Sequence, residues 1–118
     1  MDRNKFIERF QTIEPMSREA IDEAIEVSIE ANIEDGLARG HRDIIIVMEE
    51  LAELTQELSK VLRGKGNATG VLEEMADVQL GLYYIQHICG VEDFDLQKAM
   101  AVKMERVSER ICETGMYQ

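Results

Sequence analysis

Residues 49–77 read EELAELTQELSKVLRGKGNATGVLEEMAD, and this pattern determines the architecture that we expect for the whole chain. The segment begins and ends with acidic clusters, EELAE and EMAD, separated by twenty residues. In each cluster two carboxylates are spaced i, i+3, which places both on one face of a helix with their Cβ atoms about 5–6 Å apart. Two such pairs facing each other would form a cation site. The pairs are Glu50 with Glu53 and Glu74 with Asp77.

A turn signal lies between the two clusters. Residues 63–70 read RGKGNATG, with three glycines and an asparagine, and these residue types end helices and tolerate left-handed backbone conformations. The helix that carries the second cluster is therefore predicted to return antiparallel to the first. The axes of packed helices lie about 8–10 Å apart, which is close enough for acidic side chains to converge.

The rest of the chain also shows the helical spacing of apolar residues. Pro15 ends the first helix, Ser17 is the predicted N-cap of the second, and Gly40 ends that second helix. We predict one domain, residues 1–118, with an all-α fold that is a four- to five-helix antiparallel bundle. The predicted helices span about 2–13, 17–38, 42–63, 70–89 and 96–112.

The acidic residues lie beside the apolar stripes of their helices. Each residue advances about 100° around a helix. On that count Glu50 lies about 70° from the centre of its apolar stripe, and Glu74 lies about 60° from the centre of its own. Both pairs are therefore expected at the edge of the buried face rather than in bulk solvent. The residues predicted to face inward are Ile44, Val47, Leu51, Leu54, Leu58 and Leu62 in the third helix, Val71, Met75, Val78, Leu82, Ile85 and Cys89 in the fourth, and Leu96, Met100, Val107 and Ile111 in the last.

Composition limits the partners and the location. The chain has 24 acidic and 13 basic residues, a net charge of −11, so we expect no DNA or RNA partner and no membrane, whose anionic surfaces would repel it. The first residues are polar and lack the apolar core of a signal peptide, which predicts a cytoplasmic location. Cys89 and Cys112 show no metal-binding spacing and are predicted to be buried or half-buried thiols.

The candidate ligands point to a hard cation. Four carboxylates offer only oxygen ligands, which suit Mg²⁺ or Mn²⁺ rather than zinc. A di-iron site in a bundle would need Glu-x-x-His on two helices, and the acidic clusters lack that pattern. Lys103, Arg106 and Arg110 line one edge of the last helix. A cation held near a basic helix edge is suited to phosphoryl chemistry, and the lack of a Gly-rich phosphate loop argues against a Walker-type nucleotide hydrolase.

The sequence resembles the MazG-like all-α nucleoside triphosphate pyrophosphohydrolases, in particular the small, single-domain, phage-type members. The signature of that family is E-E-x-x-E, a spacer of a dozen to under thirty residues, and E-x-x-D. Glu49-Glu50-x-x-Glu53 and Glu74-x-x-Asp77 match it. The resemblance covers about residues 42–111 and includes the contexts EELAEL, EEMADV and, near the C-terminus, KMER.

The resemblance implies roles for particular residues. Glu49 matches the leading glutamate, which is implied to act from outside the metal shell or to position water. Lys103 and Arg106 match a basic patch implied to hold the triphosphate, and Lys60 is a further candidate for that role. Four carboxylates are implied to bind Mg²⁺, with Mn²⁺ as the alternative metal: Glu50, Glu53, Glu74 and Asp77.

The resemblance also implies a reaction and an assembly. Family members hydrolyse a nucleoside triphosphate between its α and β phosphates. Water attacks the α-phosphorus, pyrophosphate leaves, and a nucleoside monophosphate remains. They are usually dimers or tetramers with sites beside the subunit interfaces, so a homodimer or a homotetramer is expected.

Two other functions stay open at the level of the sequence. Glutamate pairs are common on solvated helix faces, so the chain could be a non-catalytic interaction or regulatory module that keeps the bundle. The complete set of four acids favours the enzyme over that module. A relative that acts on phosphoribosyl-ATP would use the same metal chemistry, and activity confined to that substrate would identify it.

Overall fold

The computed structural model describes residues 2–34 and 40–114, and this part of the chain is helical, without a strand. The all-α prediction is therefore confirmed for the described residues. The predicted continuation of the second helix to residue 38 lies outside them, as does the C-terminal tail from residue 115. The helices are α1 (Arg3–Phe10), α2 (Arg18–Glu34), α3 (His41–Leu62), α4 (Ala68–Cys89) and α5 (Asp93–Thr114).

Helices α3 and α4 form the closely packed hairpin that the turn signal predicts. Gly64 has a φ of 72°, a left-handed conformation that glycine adopts without the steric cost of a Cβ. Asn67 then caps α4, its side chain accepting a hydrogen bond of 2.8 Å from the Gly70 amide. Further along the hairpin, a Cβ atom on Gly81 would lie 2.9 Å from a methyl group of Val47, so glycine permits a close approach there.

Helices α1 and α2 both pack against α4. The predicted N-cap of α2 is confirmed, because the hydroxyl of Ser17 accepts a hydrogen bond of 3.1 Å from the Ala20 amide. The buried apolar residues of the described chain are few. They are Ile25 and Ile29 of α2, Val47 of α3 and Val78 of α4.

Much of the surface predicted to face inward is exposed in the single chain. Val47 and Val78 are buried, but Leu62 is 89% exposed and Met100 is 59% exposed. The prediction that each stripe is buried within one chain is therefore wrong. The physical reason is that α4 is the main helix covering α3, while α5 packs only weakly on the rest of the described protein. The side chain of Ile111 lies outside the described residues. The exposed members of the predicted stripes are Ile44, Leu51, Leu58, Leu62, Met75, Leu82, Cys89, Leu96 and Met100.

The prediction for the cysteines is also wrong. Both Cys89 and Cys112 are exposed free thiols. Cys89 is the last residue of α4, and Cys112 lies near the end of the weakly packed α5. Neither position is covered closely by another described helix.

The described part of the chain is elongated for its length. The radius of gyration over Cα atoms is 17.6 Å, with extents of 53 × 36 × 27 Å. A compact domain of 118 residues would have a radius of gyration of about 13.5 Å. Among the helices described, none combines the length and the apolar composition needed to cross a lipid bilayer.

Candidate metal centre

The α3–α4 hairpin brings the two acidic pairs together. Glu50 and Glu53 lie on α3, and Glu74 and Asp77 lie on α4. Each side chain offers a carboxylate oxygen, and these four oxygens all lie within 4.8 Å of one another. Of the acidic, histidine and cysteine side chains among the described residues, these four lie close enough together to hold a metal ion. The convergence predicted from the i, i+3 spacing is therefore present.

The cluster lies partly beneath the surface. Glu50, Glu74 and Asp77 are half-buried and Glu53 is exposed, which leaves one side open to solvent. One oxygen of Glu50 and one of Glu74 (Oε2 in each) are buried and have no hydrogen-bond partner among the described residues. A buried carboxylate oxygen without a partner costs free energy, and a coordinated cation would supply the missing interaction.

Glu50 shows the electrostatic consequence most clearly. Burial, followed by the charges of Asp77 and Glu53, raises the pKa of Glu50 from 4.5 to about 7. A side-chain hydrogen bond with Asp77 contributes in the same direction, because a protonated Glu50 donates to the neighbouring carboxylate. Near neutral pH the metal-free cluster therefore retains a proton at this position for part of the time.

The two acids of α4 are shifted in the same direction. Burial raises the pKa of Glu74, and the charges of Glu53 and Asp77 raise it further. Burial also raises the pKa of Asp77, where the hydrogen bond from Glu50 opposes the rise and the charges of Glu73 and Glu53 add to it. Crowded carboxylates of like charge resist ionisation together unless a cation neutralises them.

The donor set fits a hard divalent cation. Carboxylate oxygens are the ligands preferred by Mg²⁺, Mn²⁺ and Ca²⁺, whereas sites for softer metals use imidazole or thiolate. The two orphaned oxygens and the raised pKa values both arise because carboxylates are buried and crowded together. The residues present could therefore hold a metal ion, with Glu50, Glu53, Glu74 and Asp77 as its ligands.

Comparisons with known proteins do not assign the chain to a family. No family model, no curated protein and no solved structure matched it. The resemblance to the MazG-like enzymes accordingly rests on the acidic motif and its helical context. The geometry of the cluster is an observation separate from that resemblance.

Glu49 lies outside the cluster. Its side chain is exposed on α3, next in sequence to Glu50 but not among the four converging carboxylates. This placement separates the leading glutamate of the motif from the candidate ligands. Its role in positioning water stays a prediction.

The three cations predicted to hold phosphate are not joined to the cluster by an ion pair in the described structure. Lys60 instead pairs with Glu57, with 3.3 Å between its Nζ and the carboxylate. Lys103 and Arg106 are exposed on α5. Their role in binding triphosphate stays a prediction.

Sequence reasoning missed a cation next to the cluster. Arg3, at the start of α1, places its Nε 2.5 Å from Glu73 and its Nη2 3.5 Å from Glu57. Glu57 is one turn beyond Glu53, and Glu73 one turn before Asp77, so the acidic rows continue past the cluster. That continuation could have suggested another cation, but no local spacing connects it with a residue near the N-terminus.

A second polar network lies at the far end of α4. His87 contacts Asp22 through Nε2 (3.2 Å) and Glu26 through Nδ1, so it joins α4 to α2. Arg18 pairs with Asp22 (3.0 Å) and with Asp93 at the start of α5 (3.3 Å). A polar cavity of about 350 Å³ is bordered by Arg18, Asp22, His87 and Asp93 of this network. Since His87 is ten residues beyond Asp77, the network lies about 15 Å along the helix from the acidic cluster.

Proposed function

We propose that the protein is a Mg²⁺-dependent nucleoside triphosphate pyrophosphohydrolase that converts a nucleoside or deoxynucleoside triphosphate to the monophosphate and pyrophosphate. The observation that carries the proposal is the convergence of the four motif carboxylates, with mutual oxygen distances within 4.8 Å. The two buried oxygens without partners support a cation at that position. The resemblance to the MazG-like family supplies the reaction.

The four clustered carboxylates hold the metal in this account. A bound divalent cation would supply charge stabilisation and a Lewis acid for the phosphate oxygens. Glu53, the exposed member, faces the side from which substrate enters. Glu49 lies outside the ligand set and orients the attacking water.

The reaction itself is a displacement at the α-phosphorus. The water oxygen forms a bond to that phosphorus, and the bond to the oxygen that bridges the α and β phosphates breaks. The water gives up a proton, and pyrophosphate leaves with the bridging oxygen. Positive side chains offset the charge on the leaving group, a role assigned to Lys103 and Arg106 with Lys60 as a further candidate.

The active assembly is a homodimer or a homotetramer in this proposal. Among the described residues four buried apolar side chains make a small core, while α3, α4 and α5 expose large apolar side chains. Extensive exposed apolar surface on a soluble protein is typical of an interface. Pairing with a second copy would also bring a second α5, with its Lys103 and Arg106, to the assembly. The cytoplasm, where Mg²⁺ and nucleotides are present, is the proposed location.

The test is pyrophosphate release from a panel of nucleoside and deoxynucleoside triphosphates and from phosphoribosyl-ATP, with and without Mg²⁺. We expect Mg²⁺-dependent release from at least one nucleoside or deoxynucleoside triphosphate. Glu53→Gln and Asp77→Asn should each lower the rate more than about 100-fold, because each removes a charged metal ligand and little packing. Glu30→Gln, an exposed glutamate of α2, serves as the matched control and should keep full activity.

Three outcomes would contradict the proposal in different ways. No release from any nucleotide would favour the non-catalytic module. Release from phosphoribosyl-ATP alone would select that substrate instead. Full activity in both Glu53→Gln and Asp77→Asn would remove the metal assignment.

A further inference from the structure

Arg3 and three neighbours form a charge-balanced group beside the acidic cluster. Arg3 contacts Glu73 and Glu57, and Lys60 also contacts Glu57. Two cations thus face two carboxylates, so this group adds no net charge. In a chain with a net charge of −11, such a group gives a polyanion a position that it can approach without strong repulsion.

The group lies one helical turn from the candidate metal ligands. Glu57 follows Glu53 by four residues on α3, and Glu73 precedes Asp77 by four residues on α4. One turn of a helix rises about 5.4 Å, so the two carboxylates that Arg3 contacts belong to the row next to the candidate ligands. Arg3 contacts both Glu57 and Glu73, so these two residues lie opposite each other on the antiparallel helices of the hairpin.

The position of Arg3 depends on a glycine. A Cβ atom on Gly70 would lie 2.9 Å from Nη1 of Arg3 and 2.8 Å from a carboxylate oxygen of Glu57. The guanidinium therefore occupies space that any larger residue at Gly70 would fill. The Arg3 side chain is still 35% exposed. A guanidinium has five N–H donors, more than its two carboxylate contacts require, and its planar fork suits phosphate oxygens.

We propose that Arg3 is a substrate-binding residue, which contacts the β or γ phosphate of a nucleoside triphosphate held at the metal centre. The inference rests on the proposed function, since it takes the metal centre as the place where the triphosphate binds. Charge-assisted contacts from arginine to phosphate are among the strong hydrogen bonds in proteins. The opposing interpretation is that Arg3 only fastens α1 to α4 through its ion pairs.

The experiment measures binding of inorganic tripolyphosphate, in excess Mg²⁺, to the 118-residue chain by calorimetry. We expect Arg3→Ala to weaken binding about tenfold, and Arg3→Lys to weaken it less, because lysine keeps the charge but loses the fork. Arg3→Ala also leaves Glu73 unpaired, which would repel phosphate. Arg3→Ala/Glu73→Gln restores the local net charge of the wild type and should remain about tenfold weaker. Arg9→Ala, an exposed arginine of the same helix, is the control.

Kinetics and thermal melting separate binding from a structural role. With the nucleotide substrate, Arg3→Ala should raise KM about tenfold while kcat changes much less. A role confined to fastening α1 would lower the melting temperature and leave tripolyphosphate affinity unchanged in Arg3→Ala/Glu73→Gln. That result, or wild-type protein that does not bind tripolyphosphate, would overturn the inference. Tripolyphosphate binding through Arg3 without nucleotide hydrolysis would instead contradict only the proposed reaction.

Discussion

Glu50 is the residue of the acidic cluster whose pKa shows most clearly what burial and crowded charge cost the fold. Its pKa rises from 4.5 to about 7, through burial and then the charges of Asp77 and Glu53. A carboxyl group whose pKa is higher in the folded than in the unfolded state destabilises the fold when it ionises. The ionisation of Glu50 therefore lowers the stability of the metal-free protein as the pH rises from about 4.5 to about 7, and this one contribution stays at its lower value above that range.

Replacing Glu50 by glutamine should stabilise the metal-free protein. At pH 8 in the presence of a chelator, we expect Glu50→Gln to raise the free energy of unfolding by about 1 kcal/mol or more, since one pKa unit corresponds to about 1.4 kcal/mol. At pH 4 the gain should disappear, because the wild-type carboxyl is then protonated. Urea unfolding at both pH values measures the difference. A destabilised variant at pH 8 would show that Glu50 contributes packing rather than repulsion.

Helices α3 and α4 contain the part of the site that sequence reasoning could predict. Gly64 and Asn67 lie close together in the chain, so the turn leaves a readable signal, and the i, i+3 acid spacing fixes which faces meet. Arg3 could not be predicted, because its partner Glu73 is seventy residues away and such pairs leave no periodic pattern. The exposure of the apolar side chains of α5 could not be predicted either. The sequence pattern of an apolar stripe is the same whether the same chain or a second copy covers it.

Helix α2 is joined to α4 by the contacts of His87 with Asp22 and Glu26. The strength of this attachment depends on pH. Burial has the largest single effect on the pKa of His87 and lowers it, but the hydrogen bonds and charges of Asp22 and Glu26 outweigh it, so the pKa is raised. A raised pKa means that protonated His87 stabilises the folded state. The contribution is fully present below the unfolded pKa of 6.5 and is lost as the pH rises through the folded value.

Substituting His87 should therefore cost stability at low pH more than at high pH. We expect His87→Gln to lower the free energy of unfolding by about 1 kcal/mol at pH 6, and by much less at a pH above the folded pKa of the ring, where the wild-type ring is neutral. His41→Gln, at an exposed histidine, is the control. Thermal melts across this range provide the measurement. An equal loss at both pH values would mean that the ring acts through packing and not through its charge.

At the scale of the whole molecule, the described part of the single chain leaves many large apolar side chains uncovered. Its radius of gyration of 17.6 Å exceeds the value of about 13.5 Å for a compact domain of this length. Most of the exposed large apolar side chains among the described residues lie on α3, α4 and α5, where one chain provides too few helices to cover them. A second copy would cover these surfaces and enlarge the core.

Light scattering with size-exclusion chromatography should show a dimer or a tetramer. We expect Met100→Glu to weaken the assembly at least about tenfold, because burying a methionine side chain is worth about 1.5–3 kcal/mol. Val102→Glu is the matched control, since Val102 is similarly exposed (56%, against 59% for Met100) but lies on the opposite face of α5. A wild-type monomer at micromolar concentration would contradict the assembly.

The most direct test of the account is a Mn²⁺ titration of wild-type protein and Asp77→Asn, followed by the electron paramagnetic resonance signal of the free ion. The four carboxylates predict saturable binding by the wild type at pH 7.5. They also predict an affinity more than about tenfold lower in Asp77→Asn, with the helical circular dichroism unchanged. Equal affinity in the two proteins, or no binding by the wild type, would contradict the claim that this cluster is a metal centre.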